Sequence, residues 1–403
     1  RVSALEAEEA AEDAAEAAEA AEPEAPTGPV IHPLASLVTR FEHREGYDRL
    51  GSARALQNVG CYGGPGGLGT VTLADSDCIR YRARVGFEIQ NIALGDGYSA
   101  IVRFLPQVSG YWAMPGVGLG GPAGLAGGSS SGGLVDALLG IHEASLVLQL
   151  QTWARFEIGR FEMSYGDTVV IGNLDWHPNA RAFDGARVRL TPTPSSYWID
   201  AFFTLVNEGH AISLAGAPTG GGFVQADQYF YGVYAGLGPL LDARPSTALD
   251  VYALALQTNN RPATDAMGLP SEREWSHRTT VGVRFRYRVE MIDLRAEGAV
   301  QFGREGSVRG PMTVGPPPLF LPVPGAFSRQ QDVIAGFVLG EVGVNLLDDH
   351  LRLALEGNFA SGDSPTTTNA TEGYSHLFPT AHAFLGYTDV MGPRTNVASG
   401  VLH

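Results

Sequence analysis

The sequence has no lysine, so all 27 basic residues are arginine. It has only two cysteines, no CxxC pair and no HExxH motif, and no apolar run reaches 18 residues. The missing run excludes a transmembrane helix, which needs about 20 such residues. It does not exclude a membrane, because a barrel strand needs only about 9 to 11 residues and every second side chain can be polar. Without clustered ligands a metal centre has no support, and no cofactor is implied. No basic tail or basic cluster lies outside the alternating segments, which argues against nucleic acid as a partner.

The two cysteines, Cys61 and Cys78, flank the loop-like stretch YGGPGGLGTVTLADSD. In an oxidising compartment they are candidates for a loop disulfide, and in the cytosol they would be free thiols. The chain starts at Arg1 with no apolar signal core before the acidic segment, so such a signal is expected to have been removed or the chain to be a fragment.

Residues 1–30 carry nine acids and one arginine, which accounts for −8 of the formal charge of −16. This alanine- and glutamate-rich segment repels itself and has no apolar stripe, and reads as a solvated tail. Residues 31–403 read as one β domain.

The stretch CIRYRARVGFEIQN, 78–91, sets the pattern of that domain. Arginines at 80, 82 and 84 and Glu88 alternate with apolar side chains, as in a strand with one charged and one apolar face. Such segments recur near 37–46, 79–90, 98–106, 140–151, 154–164, 181–190, 197–206, 225–237, 248–258, 277–289, 291–302, 333–346 and 351–360. The connections alternate between long ones and short ones such as NIALGDG and LLDDH. That rhythm predicts an all-β, antiparallel outer-membrane barrel with short periplasmic turns and long outside loops. The final SGVLH starts a fourteenth strand, and the chain is expected to lack the last barrel strands.

In a barrel the apolar set faces lipid and the polar set faces the lumen. Applied strand by strand, this rule sends inward Arg40, Glu42 and Arg44; Arg80, Arg82, Arg84 and Glu88; Arg103; and Arg187 and Arg189. It does the same for Arg284, Arg286 and Arg288, for Arg295 and Glu297, and for Arg352 and Glu356. A guanidinium stays charged and its planar fork matches carboxylates, so this row suits a pore selecting an anionic solute. The same residues would equally serve as a salt-bridge network filling a barrel. One segment breaks the parity: ARFEIGRFEM, 154–163, for which a β-bulge at Gly159 would restore both faces.

GVGLGG at 116–121 and GSSSG at 128–132 imitate nucleotide and nucleophile motifs but lack the strand-to-helix context those need. GDSP at 362–365 offers Ser364 as a nucleophile, a reading in which the barrel is an enzyme; the expectation is that it is not. A further reading is an adhesin or scaffold working through the glycine-rich loops 107–139 and 303–332.

The stretch IGRFEMSYGDTVVIGNLDWHPNARAFDGARVRL, 158–190, resembles the alginate export outer-membrane porin family. WSHRTTVGVRF at 275–285, LEGNFASGD at 355–363 and LFPTAHAFLGYTDVMG at 377–392 agree in the same order. The resemblance covers roughly 140–397, with a weaker fit from 37. It implies a barrel of about eighteen strands whose arginine-rich constriction passes an acidic polysaccharide, a polyuronate in the founding members. It also implies location in the bacterial outer membrane, contact with its lipid, and periplasmic export partners.

Overall fold

The computed structural model describes residues 28–45, 75–113, 137–176, 180–192, 197–207, 227–238, 247–260, 274–307, 313–314, 321–322, 329–347, 350–364, 367, 369–380 and 395–403. Its strands are β1 (Val30–Glu45), β2 (Asp75–Gly95), β3 (Tyr98–Ala113), β4 (Ala137–Leu150), β5 (Ala154–Phe161) and β6 (Phe183–Leu190). Next come β7 (Trp198–Asn207), β8 (Asp227–Gly236), β9 (Ala248–Asn260), β10 (Glu274–Val289) and β11 (Ile292–Ser307). A small hairpin, β12 (Thr313–Val314) and β13 (Leu321–Pro322), precedes β14 (Arg329–Leu346), β15 (Leu351–Ala360), β16 (Ala370–Thr371) and β17 (Val397–Leu402).

Every alternating segment of the sequence is a strand, and SGVLH ends in β17. The strands join in chain order into one antiparallel meander, β1 to β11, then β14, β15 and β17. Among the described residues β1 and β17 are its two edges. Local chemistry explains the short connections. Gly97, at φ 77°, turns the β2–β3 hairpin with a backbone that other side chains rarely adopt. Glu290 and Met291 alone separate β10 from β11.

The sheet is apolar outside and polar inside, the reverse of a water-soluble protein. On β15, Leu355 is 59% exposed while its neighbour Glu356 is 3% exposed. Val85, Val300, Ile334 and Phe359 are likewise exposed, while Arg84, Glu88, Glu297 and Gln301 are buried. Placing leucine and phenylalanine on the outer surface stabilises only when the surrounding solvent is hydrocarbon.

The expected bulge at Gly159 is absent. Gly159 pairs in regular register with Ser145 of β4 and with Gly185 of β6. Parity is therefore kept: Ile158 faces out, and Phe161 and Met163 turn in and are fully buried. Arg160 stays on the outer side, neutralised by Asp184 through bonds of 2.7 and 2.5 Å. The sequence rule failed here because inward apolar residues can be covered by protein and an outward charge can be paired.

That protein cover consists of two segments from the long-loop side. Residues 162–176, after β5, and 369–380, after β15, lie against the inner face and against each other. Ile171 and Phe378 form a parallel bridge, with Gly172 N–H donating to Phe378 O at 2.8 Å, Phe378 N–H to Val170 O at 3.0 Å and Thr380 N–H to Thr168 O at 2.9 Å. Met163, Tyr165, Val169, Val170 and Ile171 pack with Tyr374 and Leu377 against Phe202, Phe230, Leu254, Phe337 and Leu339 of the strands. Fully burying each of these larger side chains stabilises by about 1.5–3 kcal/mol, so the segments are held inside by an apolar core.

Leu355→Arg is expected to lower the folding free energy in lipid vesicles by about 2–4 kcal/mol, whereas Leu355→Ile stays near neutral. Urea unfolding monitored by tryptophan fluorescence measures both.

Candidate functional site

Alternation points most arginines of β2, β3, β6, β10, β11 and β15 to the inner face, and most of these have a carboxylate partner; Arg304 of β11 is outward and pairs with Asp332. Arg82 and Arg84 on β2 are buried, and Arg84 Nε donates to Gln107 Oε1 at 2.8 Å. Both reach Asp175 on the inward 162–176 segment, at 2.9 and 3.3 Å, and Arg82 Nη1 also donates to the Asp175 carbonyl at 2.6 Å. On β10, buried Arg284 holds Asp167 of the same segment with two bonds, 2.7 and 3.0 Å, and Asp250 of β9 at 2.8 Å.

The remaining inner arginines pair mainly with the wall. Arg103 donates to Glu88 and to Glu143, Arg187 to Glu157 at 2.5 Å, and Arg189 to both oxygens of Asp200 at 2.7 Å. Nearer the short-turn end, Arg295 bridges Glu341 at 2.6 Å and Glu356 at 2.9 Å, and Arg352 grips Asp293 and Glu341. Arg286 and Arg288 sit beside the Glu290–Met291 turn, with Arg286 exposed. Arg40 lies over the Trp176 ring at 5.2 Å, and Glu297 accepts from Tyr252 Oη at 3.0 Å. Breaking a buried pair leaves an unpaired charge at a cost of about 3–5 kcal/mol, so these groups hold one another in place. The side chains of Glu42, Arg44, Arg80 and Cys78, and the whole of Cys61, lie outside the described residues, and so does the candidate Cys61–Cys78 pairing.

Several site residues escaped the sequence reading. Asp200 and Asp250 occupy inward positions on β7 and β9, and the parity rule extended to those strands would have found them. Arg155 faces Arg189 across the β5–β6 register, and its Nε is buried without a hydrogen-bond partner. Asp167 and Asp175 lie off the strands, where no periodicity marks them, and Arg181 opens the alternating segment 181–190 but precedes β6. Arg181 Nη1 donates to the carbonyls of Gly172 at 2.9 Å, Pro379 at 3.2 Å and Phe378. It thereby ties both inward segments together. Burial pushes its guanidinium down to about 10, still charged near neutrality.

Aromatic rings pave the neighbouring wall. Tyr165 stacks on Tyr234 at 4.5 Å between centroids, and Tyr234 on Trp198 at 5.8 Å and on Tyr252 at 5.5 Å. The rings lie flat because Gly236 and Gly282 leave room beneath them: a Cβ at either would strike Trp198 or Tyr252. Each tyrosine points its hydroxyl at an acid, with Tyr165 donating to Asp200, Tyr234 to Asp250 and Tyr252 to Glu297. The rings thus fix the carboxylates that fix the arginines.

Two groupings bring three possible metal ligands together, His142 with Glu143 and Glu162, and Glu341 with Glu356 and His403. Their acids are already engaged by Arg103, Arg84, Arg295 and Arg352. Burial acts to raise the Glu162 carboxyl, but bonds from His142 and Asn173 and the Arg84 charge outweigh it and hold it below the usual carboxylate range. The donors therefore serve guanidinium groups.

An all-β meander, apolar outside and lined inside by paired charges, defines an outer-membrane β-barrel channel. The family model described as alginate export matches residues 144–402, more than half of the chain, and the chain belongs to that family. It is a protein of the bacterial outer membrane. No curated protein sequence matches it. Among solved structures it is similar to Salmonella typhi OmpF in complex with daunomycin, at 8% identity and a TM-score of 0.32, over 93% of this chain and 97% of that one. It is also similar to Pseudomonas aeruginosa OccD3, at 8% identity and 0.31 over 70% and 67%, and to OccK5 of the same organism, at 7% and 0.30 over 93% and 98%. Likenesses this low support no further statement.

Arg181→Met is expected to speed hydrogen exchange at the Gly172, Phe378 and Thr380 amides by about tenfold or more, because three carbonyls lose a charged donor. Exchange followed by mass spectrometry on the folded barrel reads this directly.

Proposed function

We propose that this channel carries an anionic polysaccharide of the uronate class, or a smaller organic anion, through an arginine-lined interior. The observation that carries the reading is the set of buried guanidinium groups on the inner face, each held extended by carboxylates or by the inward segments. Such groups present planar N–H pairs at low dielectric, where they attract a passing carboxylate far more strongly than in water. Paired acids keep the resting interior close to neutral while leaving donors in place for exchange. Arg155, flanked by Arg187, Arg103 and Arg189, adds a cation whose Nε has no partner.

Residues 31–403 form the channel domain in this reading, and residues 1–30 a solvated acidic tail. Flow follows concentration gradients and periplasmic export partners. The interior is for passage, and no catalytic step is assigned to it. Of the adhesin candidate 107–139, residues 107–113 and 137–139 belong to β3 and β4 and 114–136 lie outside the described residues, as does most of 303–332.

Planar-bilayer recordings under a salt gradient test the proposal. The expected current is anion-selective and is blocked by added polyuronate. Arg84→Gln and Arg284→Gln each shift the reversal potential towards zero. A cation-selective current, or reversal potentials unchanged in both variants, would overturn the arginine-lined pathway.

A further inference from the structure

Asp167 and Asp175 differ from the other acids of the network. Both belong to the 162–176 segment rather than to a strand, and they stand on either side of the Val169–Gly172 strip that bridges to Phe378. Their partners are deeply buried: the side chains of Arg82, Arg84 and Arg284 are 3, 8 and 7% exposed. Asp175 itself is 55% exposed, so the Arg82–Arg84 contact is open to a dissolved carboxylate on that side, whereas Asp167 on Arg284 is 15% exposed.

Resting on the channel reading above, we infer that Asp167 and Asp175 are tethered stand-ins for the carboxylates of the cargo. A uronate carboxylate takes their place on Arg284 and on the Arg82–Arg84 pair, and the 162–176 segment is thereby released from the wall. Three features support exchange over permanent bracing. Arg284 keeps Asp250 of β9 when Asp167 leaves, and Arg84 keeps Gln107 of β3 when Asp175 leaves, so neither guanidinium is stranded. The exchange is one carboxylate for another, so each guanidinium keeps an acceptor of the same charge and geometry while one cargo group is bound.

The third feature is geometric. Gly166, at φ 55°, lets the segment pass directly over Arg284 and Tyr234, where a Cβ would lie 2.7 Å from Arg284 Cδ. The segment therefore occupies the approach to the guanidinium that it ligates. A tethered group competes at an effective concentration of the order of millimolar or above. A polymer offering many linked carboxylates overcomes that competition more readily than a single free uronate, which gives the channel a preference for chains over monomers.

The test uses the full chain in planar bilayers with an oligouronate of defined length and with monomeric glucuronate as probes. Asp175→Asn, and Asp167→Asn combined with it, remove the internal competitor. The half-blocking concentration of oligouronate should fall by about three- to tenfold, and the advantage of oligouronate over glucuronate should narrow. Both variants blocking within twofold of the unmodified channel, itself well blocked, would overturn the inference and leave the channel reading intact. An unmodified channel that passes no anion-selective current would instead overturn the channel reading and this inference with it. Asp175 is half exposed, so Asp175→Asn decides the matter alone if the double variant fails to fold.

Discussion

A guanidinium group removed from water must keep a carboxylate beside it, and that requirement organises this protein. Lipid on the outside forbids charge there except in pairs, as Arg160 and Asp184 show. Arg304 and Asp332 form a second exposed pair, and most of the other arginines of the strands turn inward, where they draw an acid or a carbonyl towards them. The wall supplies Glu88, Glu157, Asp200, Asp250 and Glu341; the inward segments supply Asp167, Asp175 and the carbonyls of Gly373 and Phe378. Position of the segments and position of the arginines are thus one problem with one solution. Lysine would not serve the same network, since a compact ammonium cannot grip two oxygens of one carboxylate in a plane.

The aromatic wall extends the same logic. Trp198 and Tyr252 lie flat because Gly236 and Gly282 face them across the register, Tyr234 stacks between them, and flat rings leave space for Tyr165 and its segment to approach. The hydroxyls of Tyr234 and of Tyr165, which stacks on it, orient Asp250 and Asp200, so a packing feature of β7 to β10 sets the direction in which Arg284 and Arg189 point. Local glycine placement therefore reaches the chemistry through two intermediates, a ring and a carboxylate.

The strands were legible from alternation alone, down to the start of β17, because a two-residue period survives in every segment that must face both lipid and protein. What the rule could not see has a common cause. Asp175 meets Arg82 across 93 positions and Asp167 meets Arg284 across 117, and neither acid lies in a periodic segment. Arg155 and the Gly159 region were obscured differently, since Phe161 and Met163 look lipid-facing until the segment that covers them is placed. A pattern that reports the environment of a strand is silent about a loop that supplies part of that environment.

The parallel bridge between Ile171 and Phe378 joins parts of the chain that are synthesised far apart. Residues 162–176 have no bridging partner until the region after β15 is in place. A chain threaded into the membrane from its first strands would therefore hold a wider, unbraced interior for most of assembly. The bridged arrangement of the two inward segments therefore depends on the part of the chain that follows β15.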